Sequence, residues 1–211
     1  MKTLVFSDVH GNHDALMLAL KYAGYTGGDR LVGLGDFVDY GNQNREVLDF
    51  LVNAKKLNPD CLWLRGNHEN ILLDAITRNS KGSFLQWEGS LMGHTTLRSY
   101  NAPPLTDDNV AEYLRQVFPP DHLALLESTV ETYEESDYFY THVPMYRGKL
   151  ITIHGHEHRD RPGFGWHTIS LGVEGGVAVL DLDNLIIHTD DGREFKVDKQ
   201  RLFGRYSNSG Q

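Results

Sequence analysis

The hexapeptide Ser7-Asp8-Val9-His10-Gly11-Asn12 sets the interpretation of the whole chain. The mostly apolar residues 2–6 before it are typical of a strand, and residues 14–23 after it are typical of a helix. In α/β proteins, ligands bind at the carboxyl ends of strands. Alternate residues of an extended segment point the same way, so Asp8 and His10 could present two metal ligands together. A strand that leads into a capped helix start has the same pattern, so the rest of the chain must supply matching partners.

Three β–α units follow one another in the first part of the chain. Strands are predicted at residues 3–6, 29–34 and 61–64, and helices at 14–23, 45–55 and 70–76. Each predicted strand ends in polar sequence that contains glycine. This pattern predicts a parallel sheet with right-handed crossovers, whose polar strand ends share one rim.

Residues 79–136 differ from the units before them. They contain Trp87, predicted helices at 107–118 and 121–128, and no alternation typical of strands. Later strands are predicted at 138–140, 149–153, 166–171, 177–182 and 185–189, with Asp183-Asn184 as a hairpin turn in which Asn184 tolerates positive φ. We therefore expect a single α/β domain over residues 1–211, with residues 79–136 as an α-helical lid insertion.

Composition narrows the possible functions. The 211 residues are 40% hydrophobic and carry a formal net charge of −9, which argues against a stable complex with nucleic acid. Bound divalent cations would offset part of this charge. Cys61 is the only cysteine, no signal-peptide features precede the first strand, and no apolar stretch is long enough to span a membrane. We expect a cytoplasmic protein with no membrane partner.

Acids, histidines and one asparagine recur at the predicted strand ends. They form five clusters: Asp8-x-His10, Gly35-Asp36, Gly66-Asn67-His68-Glu69, His142, and Gly155-His156-x-His158. Singly, each cluster could be structural: a turn, a helix cap, a core histidine or a solvated strand face. Together, carboxylate, imidazole and amide oxygen suit Mn, Fe, Zn or Mg, and they suffice for two ions if one carboxylate bridges them.

These blocks, in this order, resemble the calcineurin-like metallophosphoesterase superfamily. Within it, Gly35-Asp36-Phe37-Val38-Asp39-Tyr40-Gly41 resembles the Gly-Asp-x-Val-Asp-Arg-Gly of the phosphoprotein phosphatase branch, and Arg65-Gly66-Asn67-His68-Glu69 matches its Arg-Gly-Asn-His-Glu. The lid sequence around Trp87 and residues 96–100 is similar to the bacterial and phage serine/threonine phosphatases and the diadenosine tetraphosphatases. The resemblance implies a four-layer β-sandwich flanked by helices, with a helical lid.

The resemblance also implies a role for each matching residue. One metal would be bound by Asp8, His10 and His158, the other by Asn67, His142 and His156, with Asp36 bridging the two. His68 would be the general acid, oriented by Asp39, and Arg65 would bind phosphate oxygens. Two divalent metal ions are implied, with Mn preferred and Fe, Zn, Ni or Mg as alternatives. The alternation along a strand makes His154 a supporting residue rather than a ligand.

The residue types suit this chemistry on their own terms. Two cations about 3.5–4 Å apart clamp the attacking and leaving oxygens of an in-line displacement. A water that they share loses a proton near neutral pH and becomes the nucleophile. The cations and Arg65 would stabilise the charge on the phosphoryl oxygens, and a protonated histidine can assist a poor leaving group.

Two departures from the family pattern concern the substrate. Tyr40 stands where the family has arginine, and only eleven residues separate His142 from His154, where the phosphatases have a longer segment that carries another arginine. Arg147, Arg159 or Arg161 could replace a lost arginine, or all three could be surface charges.

Three functions follow from these patterns. The leading one is a phosphomonoesterase acting by attack of a metal-bridging hydroxide, a phosphoprotein phosphatase for phosphoserine, phosphothreonine or phosphotyrosine. The second is a phosphodiesterase or dinucleoside polyphosphate hydrolase, and the third is a catalytically inactive interaction module. The first two imply a phosphorylated partner, either a phosphoprotein or a nucleotide.

Overall fold

A computed structural model describes residues 1–106, 108–157 and 159–203. Within these residues, eleven strands form two sheets. The strands are β1 (Thr3–Phe6), β2 (Arg30–Gly33), β3 (Leu62–Trp63), β4 (Thr132–Glu135), β5 (Tyr138–Thr141), β6 (Ile151–His154), β7 (Gly163–Gly165), β8 (Thr168–Ser170), β9 (Ala178–Asp181), β10 (Ile186–Thr189) and β11 (Glu194–Lys196). The large sheet has the order β11-β10-β9-β1-β2-β3, and the small sheet has the order β4-β5-β6-β8-β7.

The helices flank these sheets. They are α1 (His13–Tyr22), α2 (Asn44–Leu57), α3 (Asn67–Thr77), α4 (Lys81–Leu85), α5 (Gly93–Ser99), α6 (Val110–Val117), α7 (Pro120–Glu127) and α8 (Lys199–Phe203), and a π-helical turn (Gln86–Ser90) follows α4 directly. Asn12 caps α1, because its side-chain oxygen accepts from the backbone N–H of Ala15 at 3.2 Å. The cap uses only the side chain of Asn12, so Asp8 and His10 of the same hexapeptide can still contribute to a ligand site.

The parallel arrangement of the first three strands is confirmed. Strand β1 pairs with β2 and β2 pairs with β3, both in parallel. On the other side, β9 pairs antiparallel with β1, so the sheet as a whole is mixed. The turn between β9 and β10 is also confirmed, but its left-handed residue is Leu185 and not Asn184. The reason is that Asn184 is held by Asp181, to which its backbone and side-chain N–H groups donate at 3.0 and 2.9 Å.

Two hydrophobic cores hold the layers together. One lies between the large sheet and its helices and includes Leu4, Phe6 and Trp87. The other lies between the two sheets and includes Val5 and Ile153. Neighbouring residues of β1 thus pack into opposite cores, because successive side chains of a strand point to opposite faces. The paired sheets flanked by helices confirm the expected α/β fold class.

Three strands were not predicted. Strand β4 lies inside residues 79–136, where no strand was expected, so the helical part of that segment ends at Glu127. The residues of β4 are exposed or half-buried, so the strand lacks the apolar alternation that would have revealed it. Strands β7 and β11 have only three residues each, and two of the three in β7 are glycine.

The helix predicted at 107–118 begins at Val110, and Asp107 lies outside the described residues. The polar residues 196–211 predict a terminal strand or helix followed by a frayed tail; the structure has the helix α8 there, and residues 204–211 lie outside the described residues. Among the described helices, none is both long and apolar enough to cross a membrane.

Candidate active site

The loops after β1 and β2 run side by side and carry the first acids of the site. The backbone N–H of Asp8 donates to Gly35, that of His10 donates to Asp36, and that of Gly11 donates to Phe37, at 2.9–3.1 Å. The expected extended Asp-x-His segment is wrong, because Asp8 and His10 have φ values of 54° and 46°. Two left-handed residues, rather than strand alternation, place these side chains at the rim.

Left-handed backbone is frequent around this rim. The non-glycine residues with positive φ there are Asp8, His10, Asp36, Asp39, Tyr40 and His156. Such conformations cost about 1–3 kcal/mol each and cluster at active sites, where the surrounding structure enforces them. Their concentration at the strand ends indicates a functional rim.

Glu69 enforces part of this conformation. Its side chain is fully buried, and its carboxylate accepts from the backbone N–H groups of Asp36 at 2.8 Å, Phe37 at 2.8 Å and Gly66 at 2.9 Å. Burial raises the pKa of the Glu69 carboxyl, and these backbone donors oppose the rise. Glu69 thus ties the loop after β2 to the start of α3. The sequence contained it only as part of a motif, with no role assigned.

Asp36 lies at the centre of a cluster of ligand atoms. His142 Nε2 lies 3.1 Å from Asp36 Oδ2 and 3.2 Å from Asn67 Oδ1. His156 Nδ1 lies 3.1 Å from Asn67 Oδ1 and 3.2 Å from His142 Nε2. Four predicted ligands from four separate strand ends therefore direct nitrogen or oxygen atoms at one point.

A second set of ligand atoms shares Asp36. His10 Nε2 lies 3.7 Å, and His68 Nε2 4.0 Å, from Asp36 Oδ2. Among the described residues, Asp36 is thus common to both sets that could hold a metal ion: His10, Asp36 and His68, and Asp36, His142 and His156. Asp8 borders the cluster, since both its carboxylate oxygens accept from the backbone N–H of His156, at 3.1 and 3.0 Å. His158 lies outside the described residues.

Backbone carbonyls fix the orientation of two of these imidazoles. The Nδ1 of His142 lies 3.0 Å from the carbonyl of Leu34, and the Nδ1 of His10 lies 3.1 Å from that of Val38. These contacts direct Nε2 of both rings at the cluster, where a bound metal ion would take the place of a proton on that nitrogen. A donor set of imidazole nitrogen, carboxylate and amide oxygen fits divalent cations.

Charges inside the cluster shift its pKa values. Burial disfavours the charged form of His142, but the Asp36 carboxylate outweighs it and raises the pKa of His142 to about 9. Burial also opposes ionisation of Asp36, yet His142 and the neighbouring His68 and His10 hold the pKa of its carboxyl well below its usual range. Burial lowers the pKa of His10. The cluster therefore has an ionised carboxylate at its centre.

His68 belongs to a separate hydrogen-bonded network beside the cluster. Its Nδ1 lies 2.7 Å from Oδ2 of Asp39, which is fully buried. Asp39 also accepts from Trp87 Nε1 at 3.0 Å and from Thr96 Oγ1 at 2.6 Å. Burial works against the charged imidazole, but the bond to Asp39 prevails and raises the pKa of His68. The network thus favours the charged form of His68, whose Nε2 faces Asp36.

Glycine is required where the loops meet. A Cβ on Gly66 would overlap Oδ1 of Asp36, and a Cβ on Gly155 would overlap Oδ2 of Asp8 and Oγ of Ser7. Both sites need close approach of the backbone to a carboxylate that faces the cluster.

A sequence comparison places this geometry in a family. The model of the calcineurin-like phosphoesterases matches residues 1–167, which include all the ligand atoms described above. The chain belongs to this family. As a calcineurin-like phosphoesterase, it is a hydrolase of phosphoric esters.

Solved structures with this fold have different activities. The phosphoesterase superposes on a protein assigned as a diadenosine tetraphosphatase with a TM-score of 0.63, at 17% identity over 89% of this chain and 92% of that one. For a cold-active protein tyrosine phosphatase from a psychrophilic Shewanella species, the TM-score is 0.64, at 17% identity over 93% of this chain and 80% of that one. For a protein serine/threonine phosphatase from Saccharomyces cerevisiae, the TM-score is 0.53, at 16% identity over 94% of this chain and 81% of that one. At these identities the likeness concerns the fold.

Arg65 of this phosphoesterase is anchored next to the cluster. Its Nε and one terminal nitrogen donate to the hydroxyl and carbonyl of Thr129, at 2.9 and 2.8 Å. The same side chain lines a cavity of about 260 Å³ together with Asn67 and His142. Arg65 thus shares this cavity with two predicted metal ligands.

The three other candidate arginines lie elsewhere. Arg147 pairs with Glu134 on strand β4 at 3.0 Å, which agrees with a surface charge. Arg159 pairs with Glu157, and with Arg161 it lines a separate cavity of about 640 Å³. The replacement of a missing phosphate-binding arginine by Arg159 or Arg161 stays a prediction.

His154 is directed away from the cluster. Its ring nitrogens lie 3.0 Å from the carbonyl of Gly155 and 3.1 Å from Oγ1 of Thr168. Burial lowers the pKa of His154. Its contact with Gly155, between the strand and His156, agrees with the supporting role expected from the sequence.

Proposed function

We propose that this phosphoesterase hydrolyses phosphomonoesters and acts as a phosphoprotein phosphatase on phosphoserine, phosphothreonine or phosphotyrosine. One observation carries the proposal: His68 is paired with the buried Asp39 at 2.7 Å, and its Nε2 faces the cluster around Asp36. The bond to Asp39 raises the pKa of this imidazole and so favours its protonated form. A proton donor at this place is needed for esters of poor leaving groups, such as the side chains of serine and threonine.

We assign the metal ligands as the family resemblance implies. One divalent cation would be held by Asp8, His10 and His158, and the other by Asn67, His142 and His156. Asp36 would be a ligand of both cations, and Mn²⁺ is the first candidate for each. When bound, the two cations would supply an activated water and positive charge for the phosphoryl oxygens. The support is the convergence of His142, His156 and Asn67 within 3.2 Å of one another beside Asp36.

The protein groups would then perform three tasks. Arg65, anchored by Thr129, would bind and orient phosphate oxygens through its remaining N–H groups. His68 Nε2 would give its proton to the leaving oxygen as the phosphorus–oxygen bond to the substrate breaks. Asp39 would hold the imidazole in place and stabilise its charge. The products are the alcohol or phenol and inorganic phosphate, with the new oxygen on phosphorus taken from water.

Residues 79–136 would belong to the same domain and complete the site. The support is that Trp87 of the π-helical turn and Thr96 of α5 both donate to Asp39. The helical segment therefore contributes to the orientation of the general acid, in addition to any role as a lid. The cytoplasmic location stays a prediction that rests on Cys61 as the only cysteine.

A second candidate is a phosphodiesterase or a dinucleoside polyphosphate hydrolase. The structural likeness to a protein assigned as a diadenosine tetraphosphatase favours it, as does Tyr40 in place of a phosphate-binding arginine. A diester carries less negative charge on the reacting phosphorus, so it depends less on arginines that grip a dianion.

Two chromogenic substrates separate these candidates. The purified protein, loaded with Mn²⁺, should hydrolyse p-nitrophenyl phosphate and leave bis-p-nitrophenyl phosphate nearly intact. Hydrolysis of the diester alone, or of dinucleoside polyphosphates alone, would establish the second candidate. No turnover of monoester, diester or a nucleotide panel would contradict both and favour an inactive module.

A further inference from the structure

Tyr40 packs beside both His10 of the cluster and His68, the proposed general acid. Its ring centroid is 4.9 Å from that of His10 and 5.3 Å from that of His68. The side chain is 51% exposed, although its neighbour Asp39 is fully buried. The backbone holds this large residue at φ 59°, a conformation that costs energy outside glycine. An exposed aromatic ring thus lies beside His68, which would protonate the leaving group.

The ring forms one wall of a large cavity. The cavity measures about 790 Å³ and opens from Asp8 and His10 towards Asn12, Tyr40 and the loop Val173–Gly176. Among the residues described in its lining, none is lysine or arginine, and Glu174 contributes an acid. This wall would not neutralise a second phosphate, and Glu174 would repel one. The cavity suits an uncharged group.

We propose that Tyr40 makes the enzyme selective for phosphomonoesters whose leaving group is an uncharged aromatic ring, such as phosphotyrosine. The inference rests on the proposed function, in which His68 protonates the leaving oxygen. That oxygen must lie within reach of His68 Nε2, so the group attached to it lies next to Tyr40. Aromatic rings attract one another in stacked or edge-to-face arrangements at centroid distances of about 4.5–7 Å. An aliphatic serine side chain would gain much less from this contact.

The ring and the hydroxyl of Tyr40 would have different effects. A phosphate-binding role would need the hydroxyl as donor and would act on all substrates alike. Selection by the ring would act on the leaving group alone. Tyr40→Phe removes only the hydroxyl, and Tyr40→Leu removes the aromatic ring. Leucine is unbranched at Cβ, so it should tolerate positive φ about as well as tyrosine.

The test compares two phosphopeptides of the same sequence, one with phosphotyrosine and one with phosphoserine. We expect Tyr40→Leu to lower kcat/KM for the phosphotyrosine peptide about tenfold and that for the phosphoserine peptide by less than twofold. Tyr40→Phe should keep the ratio of the wild type. The intrinsic difference between phenol and alcohol as leaving groups cancels, because each variant is compared with the wild type on the same substrate. Tyr146→Leu, at a tyrosine that is 66% exposed and outside this cavity lining, is the matched control.

Metal content and the unfolding temperature of each variant show whether it folds and retains its ions. An equal loss on both peptides, no loss on either, or the same loss in Tyr40→Phe would overturn the role of the ring. If the wild type hydrolyses neither peptide nor any other monoester, the proposed function fails and the inference fails with it. If the wild type hydrolyses both peptides and Tyr40→Leu keeps their ratio, only the inference fails.

Discussion

His68 Nδ1 lies 2.7 Å from Asp39 Oδ2, and both side chains are almost fully buried. Removal from water strengthens the attraction between the imidazolium and the carboxylate. It also fixes the ring, since Asp39 accepts at the same time from Trp87 and Thr96. The proposed general acid is therefore oriented by residues from three different segments of the chain.

Asp39→Asn should disable His68 while leaving the metal ligands in place. The amide is neutral, so it no longer favours the charged imidazole, and we expect kcat to fall about 10²-fold. Metal analysis of the purified variant should give the content of the wild type. Asp49→Asn is the control, because Asp49 forms an Asp–His contact outside the cluster, with His122 at 3.0 Å, between helices α2 and α7. Equal losses in both variants would contradict a specific role for Asp39.

Thr96→Val tests whether the helical segment contributes to catalysis. The substitution keeps the shape of the side chain and removes the hydroxyl that donates to Asp39 at 2.6 Å. We expect kcat to fall about tenfold with little change in KM, and stability to fall by about 1–2 kcal/mol, since a buried carboxylate oxygen loses its partner. Thr95→Val on the same helix is the control, because Thr95 Oγ1 donates to the carbonyl of Met92 instead. A change in KM alone would indicate that this helix acts on substrate binding.

Glu69→Gln should weaken the joint between two loops. A neutral amide is a weaker acceptor than a carboxylate for the backbone N–H groups of Asp36, Phe37 and Gly66. Its NH₂ group is itself a donor, so it would face a backbone N–H that needs an acceptor. We expect a loss of about 1–3 kcal/mol in the free energy of unfolding, measured with urea, and weaker metal binding. The exposed Glu127→Gln should change neither quantity. Unaltered stability in Glu69→Gln would show that the carboxylate charge is not needed at this joint.

His142→Ala should lose metal, whereas His154→Ala should keep it. His142 Nε2 lies within 3.2 Å of Asn67, Asp36 and His156 atoms, and His154 has both ring nitrogens engaged elsewhere. The readouts are bound Mn²⁺ after desalting and the rise in unfolding temperature on addition of Mn²⁺, which reports binding to the folded state. EDTA should abolish that rise and the activity of the wild type. Retention of the full metal content by His142→Ala would contradict the assignment of this site.

The sequence predicted the convergence of the site because topology enforces it. Parallel strands bring their carboxyl ends to one edge, so Asp36 and Asn67 could be placed together from the alternation of strands and helices. The orientation of Asp8 and His10 could not be predicted, since their left-handed conformation depends on hydrogen bonds to the loop after β2. Glu69 was overlooked because its partners are backbone N–H groups, which leave no trace in the side-chain pattern.

The parts that the sequence did not predict depend on distant contacts or weak patterns. Arg65 is anchored by Thr129, which is 64 positions away and follows a helix rather than a recognisable motif. Strand β4 exists because it pairs with β5, although its own residues are largely exposed. In both cases the tertiary contact, and not the local sequence, determines the structure.

Protonation of the leaving oxygen by His68 can be measured with a series of aryl phosphates. The measurement is kcat for the wild type and His68→Asn across phenols of falling pKa, with metal content determined in parallel. A lost general acid matters most when the leaving group is poor. For His68→Asn we expect kcat to fall about 10²–10⁴-fold on phenyl phosphate and hardly at all on dinitrophenyl phosphate, at unchanged metal content. An equal loss for every substrate, or loss of the bound metal, would contradict it.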